Sequence, residues 1–406
     1  MAAFICPEQR CTGCSACLNS CPRGCIRMTS DDEGFLRPEI SGDGCTDCGA
    51  CRRVCPMLHL PVPDPAAAPR VYACWNIDDS VRFRSASGGV FSAFAQTVLQ
   101  KGGIVYGAAY DENLYLKHIA VSRSEDLDVL RSSKYVQSDI GRCFGAIRDL
   151  LDQGRPVLFS GTPCQVDGLS AFLGREHELL YTCDMLCHGV PSPGLFFKYV
   201  EWLQKRFHGK LAGLNMRHKG KGWKKIVSTV ALSNNGREQY LKGVADSFML
   251  GFVKEITLRP ACYLCPYTNI DRRGDLTLAD FWGIGEIAPF HHDTKKGVSL
   301  ILANSEKGRQ LFADSRERIF GEERTLAEAR HKRTKLSQPV SRPGIRETFF
   351  ADYKRLGYEE LAKKHLLDRG LKGLIKQMVP GEWIFHLRHL GRKTGGFAGR
   401  LGSSRD

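Results

Sequence analysis

The chain has 406 residues, 42% hydrophobic and 25% charged, so it is not a disordered polypeptide and is long enough for two or three domains with a sizeable core. It has no run of about 18 apolar residues, and its first residues are neither basic nor followed by an apolar stretch, so a cytoplasmic protein without a membrane span or secretory leader is expected. The formal net charge of +14 raises the question of nucleic acid, but no zinc-finger, helix-turn-helix, RRM or KH signature accompanies it and much of the excess sits near the C-terminus, so nucleic acid is set aside as a partner.

Eight of the 17 cysteines belong to one pattern written twice. Cys11, Cys14, Cys17 and Cys21 are spaced C-x2-C-x2-C-x3-C before Pro22, and Cys45, Cys48, Cys51 and Cys55 repeat the spacing before Pro56. Three thiolates at such intervals wrap one face of an iron-sulfur cube, and the fourth, beside the proline, ligates the other cluster. One 4Fe-4S cluster is therefore expected on Cys11, Cys14, Cys17 and Cys55, and a second on Cys45, Cys48, Cys51 and Cys21. Zinc, the alternative, usually takes two separated C-x2-C pairs instead of tight triples. Two clusters, or three, also offset about four to six units of the positive charge.

Four prolines between Pro61 and Pro69 mark a semi-extended linker. Beyond it, Val71–Trp75 reads as a strand, Val90–Gln100 as a helix stopped by Gly102-Gly103, and Ile104–Tyr110 and Leu116–Ser122 as strands. A helix near Ile140–Asp152, a buried strand Pro156–Ser160, a helix Val166–Leu173, a strand Leu179–Met185 and a helix Pro193–Phe207 follow; Ile226–Leu232 and Val298–Ala303 read as further strands. This alternation predicts an α+β chain: a bacterial-type ferredoxin module joined to a mixed α/β domain, with a basic helical tail. Gly283-Ile284-Gly285-Glu286-Ile287-Ala288 imitates a dinucleotide fingerprint, but Pro289 blocks the helix it needs, so a turn is expected.

Four loops carry chemistry. Ser87-Gly88-Gly89 and Gly161-Thr162-Pro163-Cys164-Gln165 each precede a helix, whose free N–H groups suit a phosphate; for the first, a serine-capped glycine turn explains the pattern equally well. Cys187-His188-Gly189 follows a strand, and Cys262-x2-Cys265 has metal-ligand spacing before a proline. With Ser133-Lys134-Tyr135-Val136-Gln137-Ser138 and Ala279-Asp280-Phe281-Trp282, in this order, the chain resembles the coenzyme F420 hydrogenase/dehydrogenase beta-subunit family in its bacterial form with an N-terminal two-cluster ferredoxin, over about residues 11–300.

The resemblance implies an iron-sulfur flavoprotein oxidoreductase that moves electrons between the clusters, a bound flavin (FAD, or FMN) and a reducible small molecule or coenzyme. A redox partner protein or reduced coenzyme is then the electron source or sink. The alternative is a non-catalytic relay subunit serving a separate hydrogenase, dehydrogenase or biosynthetic enzyme. On this expectation Ser87, Gly88, Gly89, Lys134, Tyr135, Gly161, Thr162, Pro163 and Gln165 hold the flavin, and His188 donates a proton or bonds the ring. Cys164, Cys187, Cys262 and Cys265 hold a third 4Fe-4S cluster, with zinc as the alternative and Cys183 as a substitute for Cys187. The expected divisions are 1–60 for the ferredoxin module, 61–70 for the linker, 71–155 and 156–335 for the family's two domains, and 336–406 for the basic tail. From Lys363 to Arg400, apolar residues interleave with lysines and arginines. A helix there would lie peripherally on an anionic membrane or acidic partner, or pack on the body.

Overall fold

The computed structural model describes residues 5–60 and 68–367, apart from 226, 234, 235, 237, 332 and 333. An antiparallel hairpin comes first, β1 (Ile26–Ser30) with β2 (Leu36–Ile40). Then come β3 (Arg70–Asn76), β4 (Ile104–Tyr110), β5 (Leu116–Val121), β6 (Val157–Ser160) and β7 (Leu180–Met185). A small antiparallel sheet of β8 (Leu211–Asn215), β9 (Thr229–Leu232) and β10 (Glu238–Tyr240) follows, and β11 (Leu276–Asp280), β12 (Ser299–Ala303) and β13 (Ile319–Arg324) complete the strands. Eight of them form one mixed sheet, ordered β13-β3-β12-β11-β7-β6-β4-β5.

The centre of that sheet, β11-β7-β6-β4, is parallel, and the other pairings are antiparallel. Parallel strands are covered on both faces, so they read as unbroken apolar runs. In β6, Leu158 packs on one face with Phe94 and Ile301, while Val157 and Phe159 pack on the other with Phe144 and Leu169. Because β3 is antiparallel to β12, and β12 to β11, β3 runs in the same sense as the parallel group. The C-terminal ends of β3, β4, β6, β7 and β11 therefore share one edge of the sheet, where open α/β sheets bind ligands. Strands from 71–155 and from 156–335 alternate within this sheet, so the two segments form one folding unit.

The helix at Val90–Gln100 has the expected bounds. The expected strand at 226–232 is β9, which belongs to the small sheet and not the large one. Residues 283–288 form a turn as expected, with Gly285 left-handed. Of the expected tail, residues 368–406 lie outside the described residues. The described part carries helices Arg346–Tyr353 and Tyr358–His365, whose Phe349, Leu361 and Ala362 enter the largest core. Among the described residues, no helix is long and apolar enough to cross a membrane.

The proline-rich stretch suggests an N-terminal module free to act as a separate unit, whereas the structure docks that module on the body. Phe35, at the base of the hairpin turn, is fully buried among Leu195, Phe349 and Phe350. Gly34 is left-handed, and a Cβ there would stand 2.7 Å from the Cα of Gly194, so only glycine lets the two backbones meet. Arg346, 1% exposed in its side chain, grips Glu33 with two bonds of 2.8 and 2.5 Å and donates twice to the Leu258 carbonyl. Removing one partner of such a buried pair costs about 3 kcal/mol. Arg346→Leu is therefore expected to lower the urea midpoint markedly, while Arg27→Ala, at the exposed pair with Glu39, changes stability by less than about 0.5 kcal/mol. Equal effects of the two in urea unfolding would contradict the docking described.

Candidate functional site

The two cysteine repeats share a backbone as well as a spacing. Gly13 and Ser15, flanking Cys14, are left-handed, and so are Asp47 and Gly49, flanking Cys48. Each loop then enters a short helix, Ala16–Ser20 or Ala50–Arg53, that carries the third cysteine. Turned this way, backbone N–H groups reach sulfur: Gly13 donates to Cys11, Ala16 to Cys14, Met57 and Leu58 to Cys55, and Arg23, Gly24 and Cys25 to Cys21. Such bonds stabilise anionic sulfur and help to set a cluster's potential.

Cys21 from the first repeat and Cys45, Cys48 and Cys51 from the second line one cavity of about 510 Å³. Cys45 and Cys48 are exposed there. The complementary set is deeper: Cys11, Cys14, Cys17 and Cys55 are all buried, with Cys11 and Cys55 acting electrostatically on both Cys14 and Cys17. Cys6 bonds to Cys11 and Cys55 through its thiol. The helix Pro163–Leu173 presses on this inner set, since a Cβ on Gly168 would meet the Cys14 sulfur at 3.0 Å.

Beside it, at the C-terminal edge of the sheet, lies a cavity of about 680 Å³ walled by Cys164, Cys187, Cys262 and Cys265. Cys164 opens the helix after β6, held by Thr162, whose hydroxyl lies 3.2 Å from its sulfur. Cys187 follows β7; Gly189 N–H reaches its sulfur at 3.4 Å, and Gly189 is left-handed with Leu258 filling the place of a Cβ. Cys262 and Cys265 lie in and just after a short turn at Pro260–Leu264, tied to the Cys187 loop by the Pro191–Leu258 bridge and the Arg259 N–H to Val190 carbonyl bond. Cys183, two alternations back in β7, is fully buried in the core and does not line this cavity, so Cys187 is the cysteine placed there.

Burial pushes the Cys14 and Cys262 thiols up to about 12, Cys265 up to about 11 and Cys187 well above its usual value. Buried thiols of this kind ionise only when a cation joins them, which iron does. Among the described residues, no three His, Cys, Asp or Glu side chains converge as a single metal ion demands. Four thiols line each of the two cavities, and four thiolates are the donor set that a 4Fe-4S cluster takes.

His188 shares the cavity wall and stands 3.1 Å from Glu255, which also reaches Lys335 at 3.4 Å. Burial and the Lys335 ammonium push this imidazole below its usual value against the pull of Glu255. Thr162, Pro163 and Gln165 line the cavity too, but Thr162 and Gln165 cap each other: Thr162 N–H donates to the Gln165 side chain, whose amide continues to Ser138 at 2.9 Å. Gly161 N–H is bonded to the Cys183 carbonyl.

Ser87, Gly88 and Gly89 do not line this cavity. They pack against β3 and β12, of which the nearer, β12, is three strand spacings from β6, or about 14 Å. Gly88 N–H is taken by the Ser299 hydroxyl at 2.9 Å, and a Cβ there would fall 2.4 Å from the Cys74 carbonyl, so this glycine serves close packing. Lys134, expected on a flavin phosphate, donates instead to the carbonyls of Val129 and Arg131 and is lowered to about 7 by burial. Tyr135 stands between the loops, within reach of the Arg217–Asp280 pair and against Phe252, which also touches His188.

One residue that the motifs did not mark connects the parts. Arg259 is buried, lines the cavity of Cys187, and reaches the Cys11 carbonyl at 2.6 Å, the Cys11 sulfur at 3.7 Å, and Leu36 and Gln137 at 3.0 Å each. Gln137 in turn pairs with both backbone groups of Leu36. The only sequence clue is that Arg259 precedes the Cys262-x2-Cys265 motif.

Residues 154–328 match the family described as the C terminus of the coenzyme F420 hydrogenase/dehydrogenase beta subunit, and residues 10–58 match a 4Fe-4S dicluster domain. No curated protein matches the chain. A solved structure of the F420-reducing NiFe hydrogenase complex from Methanosarcina barkeri, derivatised with xenon, is similar at 15% identity and a TM-score of 0.43, covering 77% of this chain and 97% of that one.

Proposed function

We propose that the chain, whose residues 154–328 match the coenzyme F420 hydrogenase/dehydrogenase beta-subunit family, is an iron-sulfur flavoprotein oxidoreductase in which electrons pass along three clusters to a flavin and a small-molecule acceptor. The observation that carries this is the succession of cysteine sets. An exposed outer set (Cys21, Cys45, Cys48, Cys51) leads to a buried inner set (Cys11, Cys14, Cys17, Cys55), and then to the cavity set (Cys164, Cys187, Cys262, Cys265) at the ligand-binding edge of the sheet. Thr12, one residue after Cys11, lines the cavity of Cys187, so the inner and cavity sets share a wall.

When bound, a flavin exchanges single electrons with clusters and pairs with hydride carriers, which is the chemistry such a path needs at its end. Within this reading Tyr135, Gln165 and His188 form its protein environment, with His188 Nε2 held by Glu255, the carboxylate with which it can exchange a proton. The capping within the 87–89 and 161–165 loops favours a second reading, a relay subunit without bound flavin, because the N–H groups of Gly88, Gly161 and Thr162 already have partners.

Protein purified without oxygen is expected to hold about twelve irons, four per site, together with one flavin. Cys187→Ala and Cys262→Ala should each remove about four irons and leave the other eight. About eight irons in the unaltered protein would remove the third cluster from the proposal. Flavin-free protein with full iron, and no spectral change on adding an oxidised coenzyme after reduction, would select the relay.

A further inference from the structure

We propose that the rim of the outer cysteine cavity is the docking surface for a small acidic electron-carrier protein, the inference resting on the electron path proposed above. Of the three cysteine sets, only the outer one has ligands at the surface: Cys45 and Cys48 are exposed, Cys21 and Cys51 half-buried. Around it stand Arg23 and Arg52, which line the cavity, and Arg53, which donates to the Cys48 carbonyl at 2.7 Å. All three arginines are exposed, and none forms an ion pair among the described residues. Elsewhere exposed arginines are commonly paired, as Arg70 is with Glu323, Arg123 with Asp126 and Arg342 with Glu347. Asp47 on the same rim opposes them with one charge.

The ligand chemistry of this rim is guanidinium, which presents planar pairs of N–H groups to carboxylates. Its occupant is therefore a surface rich in Asp and Glu. A protein is favoured over a small molecule because a cluster on the four cysteines fills the cavity and leaves only the arginine rim to be recognised. Electron-transfer encounters use interfaces at the low end of the size range, where steering by charge sets the rate. Each encounter moves one electron: the carrier is oxidised by one, the outer site is reduced by one, and no bond is made or broken.

The test is the anaerobic reduction of the purified protein, followed by absorbance in a stopped-flow instrument. The probes are a reduced plant-type ferredoxin of strongly negative net charge and reduced methyl viologen. With ferredoxin the second-order rate should fall steeply as salt rises. The triple variant R23E/R52E/R53E should be about 10- to 100-fold slower at low ionic strength, with its iron content and its reduction by viologen retained. Ferredoxin rates that ignore both salt and the triple reversal, with normal reduction by viologen, would overturn the docking surface alone. A loss of iron in the variant while single reversals leave the ferredoxin rate unchanged would show that the arginines serve only the cluster's charge, and would also overturn it. An unaltered protein that viologen cannot reduce would remove the electron path itself, and the inference with it.

Discussion

Cys55→Ala is expected to remove the inner cluster, although Cys55 belongs to the second repeat, and Cys21→Ala to remove the outer one, although it belongs to the first. Cys55 is buried beside Cys11, Cys14 and Cys17, whereas Cys21 lines the cavity of Cys45, Cys48 and Cys51. A cube with three thiolates is labile, so each variant should lose about four irons. The two losses differ in consequence. Without the inner cluster the path is cut in the middle, so reduced ferredoxin, entering at the arginine rim, should bleach the outer site and leave the Cys187 cavity oxidised. Without the outer cluster, entry through the arginine rim fails, while small reductants still reach the remainder. Iron analysis with low-temperature EPR reads both. Loss from each variant of the cluster built on its own repeat would refute the crossed ligand sets.

Arg259→Met is expected to lower the inner cluster's reduction potential by roughly 60 mV, with iron content kept. A hydrogen bond from a charged donor is worth about 1.5–3 kcal/mol. It strengthens as the added electron raises the negative charge on sulfur, and a difference of about 1.4 kcal/mol between the two states corresponds to about 59 mV for one electron. Arg259 brings that bond to Cys11 while its other nitrogens hold the Cys11 and Leu36 carbonyls. Arg259→Lys keeps the charge and loses the fork, so it should recover only part of the shift. A redox titration showing the wild-type potential in Arg259→Met would leave this residue a purely structural clamp.

What the sequence made legible follows from how local each signal is. Four thiolates around one cube leave few spacings, so the N-terminal cysteines could be grouped from the sequence, and Cys21 does line one cavity with Cys45, Cys48 and Cys51. The helix at 90–100, bounded by Gly89 and Gly102, and the apolar run of β6 were similarly plain. Arg259 was not, because its partner Cys11 lies 248 positions away and nothing near it announces a bond to sulfur. Ser87-Gly88-Gly89 misled towards a phosphate because a glycine that admits a phosphate and one that admits a neighbouring strand look the same in sequence. Gly88 is the second kind, pressed on the Cys74 carbonyl. Lys134 reads as a free cation, yet its ammonium is spent on two backbone carbonyls. The prolines at 61–69 suggested independence for the module, and Phe35 and Glu33, anchored in partners far along the chain, deny it.

The Glu33–Arg346 clamp has a consequence for how the molecule is made. Its partners are 313 positions apart, so the hairpin that carries Glu33 leaves the ribosome long before the arginine that holds it. Closing a contact of such high order is slow, and chains of this size pass through partly packed states on the way. Until Arg346 and Phe349 arrive, Phe35 has no complete pocket, and until Arg259 arrives the Cys11 loop has no clamp. The inner cysteine set thus reaches its final shape near the end of synthesis. Iron delivered earlier meets a half-built nest, and iron delivered later must enter a closed one, which leaves a narrow interval in which assembly and folding finish together.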